Sequence, residues 1–269
     1  MMLLRRRATR VLTGAMGLGL ITLIAVGWHL LPHAAPSGDT FAGCRRLWSH
    51  RSLAAGTPAP QENSVHGMQR AFDRGAGGVE VDVVYEPSTG RLFAQSGEFA
   101  DAGEPLQLEL RIMLQAIPDG GRVWLDFWTL HRLSDTDVGA AVAALKETVE
   151  RAGMTDRVFV ESTDVERLRR IREAGLQTSL WIEPPPVMEG HRDHLWGVLR
   201  AARAFRTGPF SAISLDYAGY SRLVGAVFGR VPILLFTVND STAARRFLAD
   251  SRVRVILTDS VPFRVAGCE

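Results

Sequence analysis

The sequence predicts an α/β fold, a (β/α)8 TIM barrel with a short hairpin arm after its second strand, preceded by one N-terminal transmembrane helix. Three observations lead to this prediction: eight short runs rich in β-branched and aromatic residues, segments of helical period between them, and a long uncharged apolar stretch near the first residue. The 269 residues are 46% hydrophobic and 22% charged, and the formal net charge is +2. This composition is typical of a globular protein, and so small a charge gives no reason to expect a nucleic-acid partner.

The apolar stretch at residues 11–31 carries no formal charge. As a helix it would extend about 31 Å at ~1.5 Å per residue, which is roughly the thickness of the hydrocarbon core of a bilayer. The residues before it include four arginines, Arg5, Arg6, Arg7 and Arg10. The positive-inside rule then predicts a cytoplasmic tip at 1–10, a single-pass membrane anchor at 11–31 and an extracytoplasmic remainder.

A cleaved signal peptide is the alternative, although its apolar region is normally ~7–15 residues long and ends at small residues. Either interpretation exports the rest of the chain, in which 32–43 is a linker and 44–269 is the barrel domain. The two cysteines, Cys44 and Cys268, lie at the two ends of that domain. Export permits a disulfide and a closed barrel brings its ends together, so we expect a bond between them. Two unpaired thiols are the alternative.

Eight runs along the chain have the composition of β-strands. They occupy residues 45–50, 78–85, 122–128, 157–162, 177–183, 211–217, 231–238 and 252–259. Between several of them the apolar residues recur at helical spacing, and Asn63, Asp164 and Asn239 precede such segments as predicted helix N-caps. Strands and helices that alternate in this way predict a (β/α)8 barrel. An open doubly wound sheet is the alternative, and the lack of a GxGxxG or P-loop motif disfavours it.

One further run, at residues 91–95, follows the second strand after a short turn. The connection is too short for a parallel crossover, which needs a dozen or so residues. We therefore expect these residues to form an antiparallel hairpin arm with the second strand.

The second strand alternates three valines with Glu80 and Asp82. Successive side chains of a strand point to opposite faces, so both acids would point into the barrel if the valines pack against the helices. The third strand brings Asp126 inward by the same alternation. Three oxygen donors without cysteine or clustered histidine suit a hard cation such as Mg²⁺ or Ca²⁺. A polar face paired with some of the many arginines is the alternative.

His50 and Arg51 end the first strand. Active sites of (β/α)8 barrels lie at the carboxyl ends of the strands, so both residues are well placed. Histidine exchanges protons near neutral pH, and arginine binds phosphate with its planar fork. By contrast, His191 and His194 follow three prolines and are expected to lie in an exposed loop.

The order of these motifs resembles the glycerophosphodiester phosphodiesterase family. That family carries HRG, PENT, a helix and then G-(I/V)-E-x-D-V, and this chain has His50-Arg51, Glu62-Asn63-Ser64, a helical segment and GVEVDV at 78–83. Further matches are LDF at 125–127 for an acidic metal-binding strand, FTVN at 236–239 for WTVN, and TDSVP at 258–262 for TDxP. The resemblance covers residues 48–262 in order.

This resemblance implies a barrel that hydrolyses phosphodiesters with one divalent cation, Mg²⁺ or Ca²⁺. The metal ligands would be Glu80, Asp82 and Asp126. Arg51 would bind the phosphate, and His50 would be one of the family's two acid–base histidines. Glu62 would support the site, either by bracing Arg51 or by completing the metal shell. The substrate would be a glycerophosphodiester or a related lipid headgroup.

The chain departs from the family at several positions. Gln95 stands where the family has its second histidine, and glutamine can hydrogen-bond a leaving oxygen but cannot protonate it. The family's glutamate and lysine on the third strand are Asp126 and Trp128 here, and we expect Trp128 to line the substrate pocket. Phe236 replaces a tryptophan. His131, just beyond the third strand, is a hypothetical substitute for the missing histidine.

The sequence therefore predicts a membrane-anchored, divalent-metal-dependent phosphoric diester hydrolase whose partners are a small-molecule phosphodiester or lipid headgroup and the membrane. The alternative is a catalytically impaired barrel that binds a metal and a phosphate or lipid ligand without turnover. Related lipid-cleaving barrels that release a cyclic phosphate are a third possibility. The sequence does not indicate an oligomeric state.

Overall fold

The computed structural model describes residues 32–35, 41, 45–53, 62–95 and 108–264. The predicted anchor at 11–31 and the two cysteines, Cys44 and Cys268, lie outside these residues. Within the described part of the chain, no helix combines the length and the apolar character that crossing a bilayer requires.

Nine strands are present in the described residues. They are β1 Leu47–Ser49, β2 Val79–Glu86, β3 Arg91–Ala94, β4 Val123–Asp126, β5 Val158–Ser162, β6 Gln177–Trp181, β7 Ala212–Asp216, β8 Ile233–Phe236 and β9 Val253–Thr258. Eight of them run parallel in the order β1-β9-β8-β7-β6-β5-β4-β2, and β1 pairs with β2 to close the ring. The predicted (β/α)8 barrel is thus confirmed, and the open-sheet alternative is wrong.

Helices follow the strands around the outside of the barrel. Those in the described residues are α1 Val65–Asp73, α2 Leu110–Gln115, α3 Asp135–Arg151, α4 Val165–Glu173, α5 His191–Arg206, α6 Arg222–Val227 and α7 Ser241–Leu248. Asp164 caps α4 as predicted, because its side chain accepts hydrogen bonds from the first turn. The caps of α1 and α7 are Ser64 and Asp240, so the predictions at Asn63 and Asn239 were wrong by one residue.

The hairpin arm is also confirmed. Strand β3 pairs antiparallel with β2, with Val83 opposite Ala94 and Glu86 opposite Arg91. The pairing continues to Gln95, whose backbone N–H donates to the carbonyl oxygen of Asp82 at 3.0 Å. The arm therefore delivers Gln95 to the same level of the barrel as Asp82.

The barrel interior is apolar in its lower half, toward the amino ends of the strands. Its aromatic side chains include Trp48, Trp124 and Phe159, all buried, with Phe41 from the preceding segment. The ring of Phe41 lies 5.0 Å from that of Phe159, and the Phe41 carbonyl accepts a hydrogen bond from Arg254 Nη2 at 2.7 Å. Burying each large apolar side chain contributes about 1.5–3 kcal/mol. This layer forms a dry floor beneath the polar residues at the other end.

Both ends of the described domain meet the connection between α1 and β2. A Cβ added to Gly77 would lie 1.8 Å from the carbonyl oxygen of Arg45, so only glycine permits this close approach of the two backbones. One added to Gly75 would lie 3.0 Å from Cγ of Arg264. The residues next to β1 and after β9 are therefore neighbours in space.

Candidate metal and phosphate site

Three acidic side chains converge at the carboxyl end of β4 and at the part of β2 that pairs with it. Asp82 and Asp126 are register neighbours across the two parallel strands, and Glu80 lies two residues before Asp82 on the same face. One carboxylate oxygen from each of the three lies within 4.8 Å of the others. Glu80 is 3% exposed and Asp82 is 4% exposed, and Asp126 is partly buried.

The electrostatics of these acids are unfavourable without a counter-charge. Burial raises the pKa of Glu80 and that of Asp126 well above the usual carboxyl values, and repulsion from Asp82 adds to both shifts. Glu80 Oε1 and Asp126 Oδ1 are buried and have no hydrogen-bond partner among the described residues. Buried charges and orphaned oxygens are costly, and a hard divalent cation would compensate for both. The residues present therefore fit the ion that the sequence predicts.

Glu161 is a further buried acid near the site, and the sequence analysis did not identify it. It lies on β5 beside Asp126 in register and is 2% exposed. Burial raises its pKa, and the neighbouring charge of Asp126 raises it further. The signal was available, because the alternation of β5 places Glu161 on the same face as the inward Phe159. Glu161 is not one of the three acids whose oxygens converge.

The turn after β1 wraps around Glu80. Arg51 and Ser52 have φ values of 49° and 58°, in the left-handed region that costs a non-glycine residue about 1–2 kcal/mol. The turn is held because the Arg51 N–H donates to Glu80 Oε2 at 2.6 Å and Ser52 Oγ donates to the Glu80 carbonyl at 3.2 Å.

The side chain of Arg51 lies between two acids. Its Nη1 is 3.5 Å from Glu62 Oε2, and its Nε is 3.4 Å from Asp82 Oδ2. Glu62 is thus close enough to Arg51 to brace it, and its assigned role stays a prediction. Arg51 is positioned beside the acid cluster, where its guanidinium can offer the donors that a phosphate group needs.

Asn63 fixes the orientation of Asp82. Its Nδ2 donates to Asp82 Oδ2 at 2.8 Å, and its Oδ1 accepts from the Asp82 backbone N–H at 3.1 Å. Asn63 is buried and has φ of 49°, a conformation that asparagine tolerates better than most residues. Sequence reasoning assigned it as a helix cap because the contact partner lies on a different element.

His50 is oriented by a second chain of hydrogen bonds. Its Nδ1 lies 2.8 Å from Asp259 Oδ1, and Asn239 Nδ2 donates to Asp259 Oδ2 at 2.8 Å. Burial alone would raise the pKa of Asp259, but the hydrogen bonds from His50 and Asn239 lower it below its usual value. An ionised carboxylate only accepts, so Nδ1 of His50 carries a proton and Nε2 is the nitrogen left for proton exchange.

Gln95 lies directly across the hairpin from Asp82, so the two side chains share one face of the arm. Gln95 is buried. Gln95 therefore presents an amide and no titratable ring on the face of the arm that Asp82 occupies, and its assignment to the place of a family histidine stays a prediction.

Trp128 and His131 belong to a short turn at Trp128–Arg132, directly after β4. The guanidinium carbon of Arg132 lies 4.3 Å from the ring centroid of Trp128, so this cation already covers the ring. His131 is exposed, and its Nδ1 lies 2.6 Å from the Trp128 carbonyl within the same turn. The roles assigned to both residues stay predictions.

His194 is not exposed in a loop but buried on α5. Its Nε2 lies 2.7 Å from Ser221 Oγ, and its Nδ1 contacts the carbonyl oxygen of Pro185. It therefore ties the loop after β6 to the start of α6. His191 is exposed, as expected.

The fold is shared with solved structures of phosphodiesterases. A candidate glycerophosphoryl diester phosphodiesterase from Silicibacter pomeroyi DSS-3 is 17% identical with a TM-score of 0.61, over 87% of this chain and 92% of that one. A glycerophosphodiester phosphodiesterase from Parabacteroides distasonis is 17% identical with a TM-score of 0.57, over 80% and 92% of the two chains. A calcium-dependent phosphoinositol-specific phospholipase C from a Pseudomonas species is 10% identical with a TM-score of 0.55, over 85% and 94%.

No family model matches the sequence, and no curated protein matches it either. At these identities the structural matches establish the barrel fold alone.

Proposed function

We propose that the chain is a divergent member of the glycerophosphodiester phosphodiesterase family and hydrolyses a phosphodiester with the help of a divalent cation. The observation that carries the proposal is the convergence of Glu80, Asp82 and Asp126, two of which bury an unpartnered oxygen, next to Arg51 and His50. The shared fold supports it, because the structural neighbours carry the names of phosphodiesterases and of a phospholipase C.

Each residue of the site has a chemical task in this proposal. The cation, Mg²⁺ or Ca²⁺, would be held by Glu80, Asp82 and Asp126, and it would neutralise charge on the phosphate as the transition state forms. Arg51 binds a phosphate oxygen through its guanidinium. Glu62 keeps Arg51 in place, and Asn63 keeps Asp82 in place.

Hydrolysis of a phosphodiester requires two proton transfers. The attacking water loses a proton as its oxygen bonds to phosphorus, and the departing alcohol oxygen gains one as its bond to phosphorus breaks. His50 can serve one of these transfers through Nε2. Gln95 can donate a hydrogen bond to the other oxygen but no proton, and loss of one acid or base costs about 10²–10⁴-fold in rate. We therefore expect slow turnover.

The second candidate function is a barrel that binds a metal and a phosphate or lipid ligand without turnover. The buried Gln95 opposite Asp82 favours it, because no titratable side chain occupies that place.

One experiment separates the two functions. The full chain, purified in mild detergent, is incubated with glycerophosphocholine and Mg²⁺, Ca²⁺ or EDTA, and released glycerol 3-phosphate is measured. Ion-dependent turnover that disappears in Glu80→Gln supports the hydrolase. Thermal stabilisation by the ion with no product supports the binding protein. If the ion produces neither turnover nor stabilisation, both functions are contradicted.

We also propose that the barrel is held at a membrane by residues 11–31, with the tip at 1–10 in the cytoplasm. The described residues begin at Pro32. The Ala35 N–H donates to the carbonyl oxygen of Phe210 at 2.8 Å, just beyond the end of α5. Among the described residues seven large apolar side chains are exposed, and five of them lie on or just before α5. They are Val187, Met188, Leu195, Trp196 and Leu199.

The exposed side of α5 also carries arginines, among them Arg192, Arg200 and Arg203. Apolar and basic side chains on one helix suit the surface of an anionic bilayer. Retention of the full-length chain in membranes after an alkaline wash supports the anchor. A shortened chain in the soluble fraction would instead indicate a cleaved signal peptide.

We also propose that the exported barrel has a disulfide between Cys44 and Cys268. Arg45, next to Cys44, and Arg264, four residues before Cys268, pack against the same connection at Gly75 and Gly77. A shift in electrophoretic mobility on reduction, absent in Cys268→Ser, is the expected result.

A further inference from the structure

A second hollow lies at the mouth of the barrel, at the carboxyl ends of β6, β7 and β8 and across from the acid cluster. Its volume is about 290 Å³. Its lining includes Trp181, Glu183, Pro184, Pro186, Asp216 and Phe236. The proposed reaction uses none of these residues.

Two aromatic rings form the inner wall of this hollow. The rings of Trp181 and Phe236 lie 5.3 Å apart at 86°, an edge-to-face arrangement. Phe236 also lies 6.2 Å from the ring of Trp124, which precedes Asp126 by two residues on the same face of β4. The aromatic wall therefore runs from the hollow toward the strand that carries one of the proposed metal ligands.

Two carboxylates form the rim. Trp181 pairs with Ser214 across β6 and β7, and continuing that register places Glu183 beside Asp216. Asp216 in turn pairs with Phe236 across β7 and β8. Both acids are exposed, and neither forms an ion pair with any residue that the structure describes. Nine of the described residues line the hollow, and of these two are acidic and none is basic.

An organic cation is the ligand class that this combination suits. Faces of tryptophan and phenylalanine attract an ammonium group through their quadrupoles. The two carboxylates add an opposite charge at the rim, and none of the lining side chains that the structure describes competes as a cation. A neutral alcohol would gain only the apolar contacts, and an anionic group would be repelled by both carboxylates.

We propose that this hollow binds the alkylammonium end of a zwitterionic phosphodiester whose phosphate lies at Arg51 and the acid cluster. The inference rests on the proposed function and names its substrate class: phosphodiesters in which the alcohol carries a quaternary or primary ammonium group. Such a substrate places its anionic phosphate beside the cation and Arg51, and its positive end beside Glu183 and Asp216.

The first test compares two substrates with the full chain. We expect kcat/KM for glycerophosphocholine to exceed that for glycerophosphoglycerol, whose second alcohol is uncharged, by about tenfold, which corresponds to ~1.4 kcal/mol. In the double variant Glu183→Gln/Asp216→Asn this ratio falls to near one, through a higher KM for glycerophosphocholine. The matched control is Glu189→Gln, an exposed acid of the same loop that does not line the hollow.

A second test does not depend on turnover. Choline and its uncharged isostere 3,3-dimethylbutan-1-ol are titrated into the full chain, and binding is followed by calorimetry and by tryptophan fluorescence. Choline is expected to bind at least fivefold more tightly than the isostere, and Trp181→Leu and the double variant are both expected to lose this difference. Thermal unfolding of each variant checks that it folds.

The outcomes separate this inference from the proposed function. Selective choline binding without hydrolysis supports the ammonium-binding role of the hollow and contradicts the proposed hydrolase activity. Hydrolysis of both substrates with equal kcat/KM, together with equal binding of choline and its isostere, overturns the hollow and keeps the hydrolase. A preference found only with phosphatidylcholine in mixed micelles assigns the same hollow to a lipid headgroup, whereas one found with glycerophosphocholine assigns it to the soluble diester.

Discussion

Asn63 holds Asp82 at both its side chain and its backbone, with Nδ2 donating to the carboxylate at 2.8 Å and Oδ1 accepting from the backbone N–H at 3.1 Å. The two residues lie on different elements, the turn before α1 and strand β2. Because this clamp fixes which oxygen of Asp82 remains for an ion, Asn63 acts as a positioning residue for the candidate metal site.

Removal of the clamp is expected to weaken ion binding. Asn63→Gly keeps the positive φ available but deletes the amide, and loss of a residue that orients a ligand typically costs about 10–100-fold in metal affinity. Calorimetric titration of Ca²⁺ and Mg²⁺ measures the change. Asp164→Gly, which removes a helix cap on α4 away from the site, is the control for a general loss of stability. Equal ion affinity in Asn63→Gly and the parent protein would refute the role.

The acid cluster is expected to destabilise the metal-free protein at neutral pH. Folding raises the pKa of Glu80, Asp126 and Glu161, so the folded state binds more protons than the unfolded state between the ordinary carboxyl pKa and the raised values. The free energy of unfolding in EDTA should therefore fall as the pH rises from about 4 through that window. Urea unfolding at several pH values measures it.

The variant Asp126→Asn removes one of the three charges from the cluster. It is expected to raise the stability of the metal-free protein at neutral pH and to reduce its stabilisation by Ca²⁺ or Mg²⁺. If Asp126→Asn destabilises the metal-free protein and leaves the effect of the ion unchanged, the cluster does not hold the cation.

Gln95 is the position at which acid–base chemistry can be restored. Gln95→His places a titratable ring opposite Asp82, and we expect the rate of hydrolysis to rise, within the ~10²–10⁴-fold that one acid or base contributes. Gln95→Asn, which keeps an amide, is the control and should not raise the rate. In the same assay His50→Ala should abolish turnover. Loss of activity in His131→Ala would instead support His131 as the substitute acid.

Asp250 is expected to stabilise the folded state with a pH dependence opposite to that of the acid cluster. Its hydrogen bonds with Arg252 lower its pKa more than burial raises it, and the Tyr220 hydroxyl lowers it further by donating at 2.6 Å. A depressed carboxyl pKa stabilises the folded state above the unfolded pKa, and that contribution disappears as the pH falls through the folded value.

We expect Asp250→Asn to lower the free energy of unfolding by about 1.5–3 kcal/mol at pH 7, the range for hydrogen bonds to charged groups. The difference from the parent protein should shrink at strongly acidic pH. Asp240→Asn, which caps α7 at the surface, is the control. A difference that is the same at pH 7 and in strong acid would show that the ionised carboxylate is not the cause.

The local patterns of the chain were sufficient to predict its architecture. The eight strand runs and the hairpin at 91–95 were recognised because strand alternation and turn length are properties of neighbouring residues. The same alternation identified the inward acids at Glu80, Asp82 and Asp126. It also held the evidence for Glu161, which was overlooked because an acid within an apolar strand was interpreted only as part of the strand.

The sequence by itself determined a closed barrel with acids from two strands on its inner face, because side-chain direction follows from strand geometry alone. Only the tertiary structure decided which groups act together. Asn63 binds Asp82, Asn239 and His50 meet at Asp259, and Glu183 lies beside Asp216 at the rim of a second hollow. These contacts join residues from different elements. Their distances depend on how the ring of strands closes, and the spacing of residues within one segment does not determine that closure.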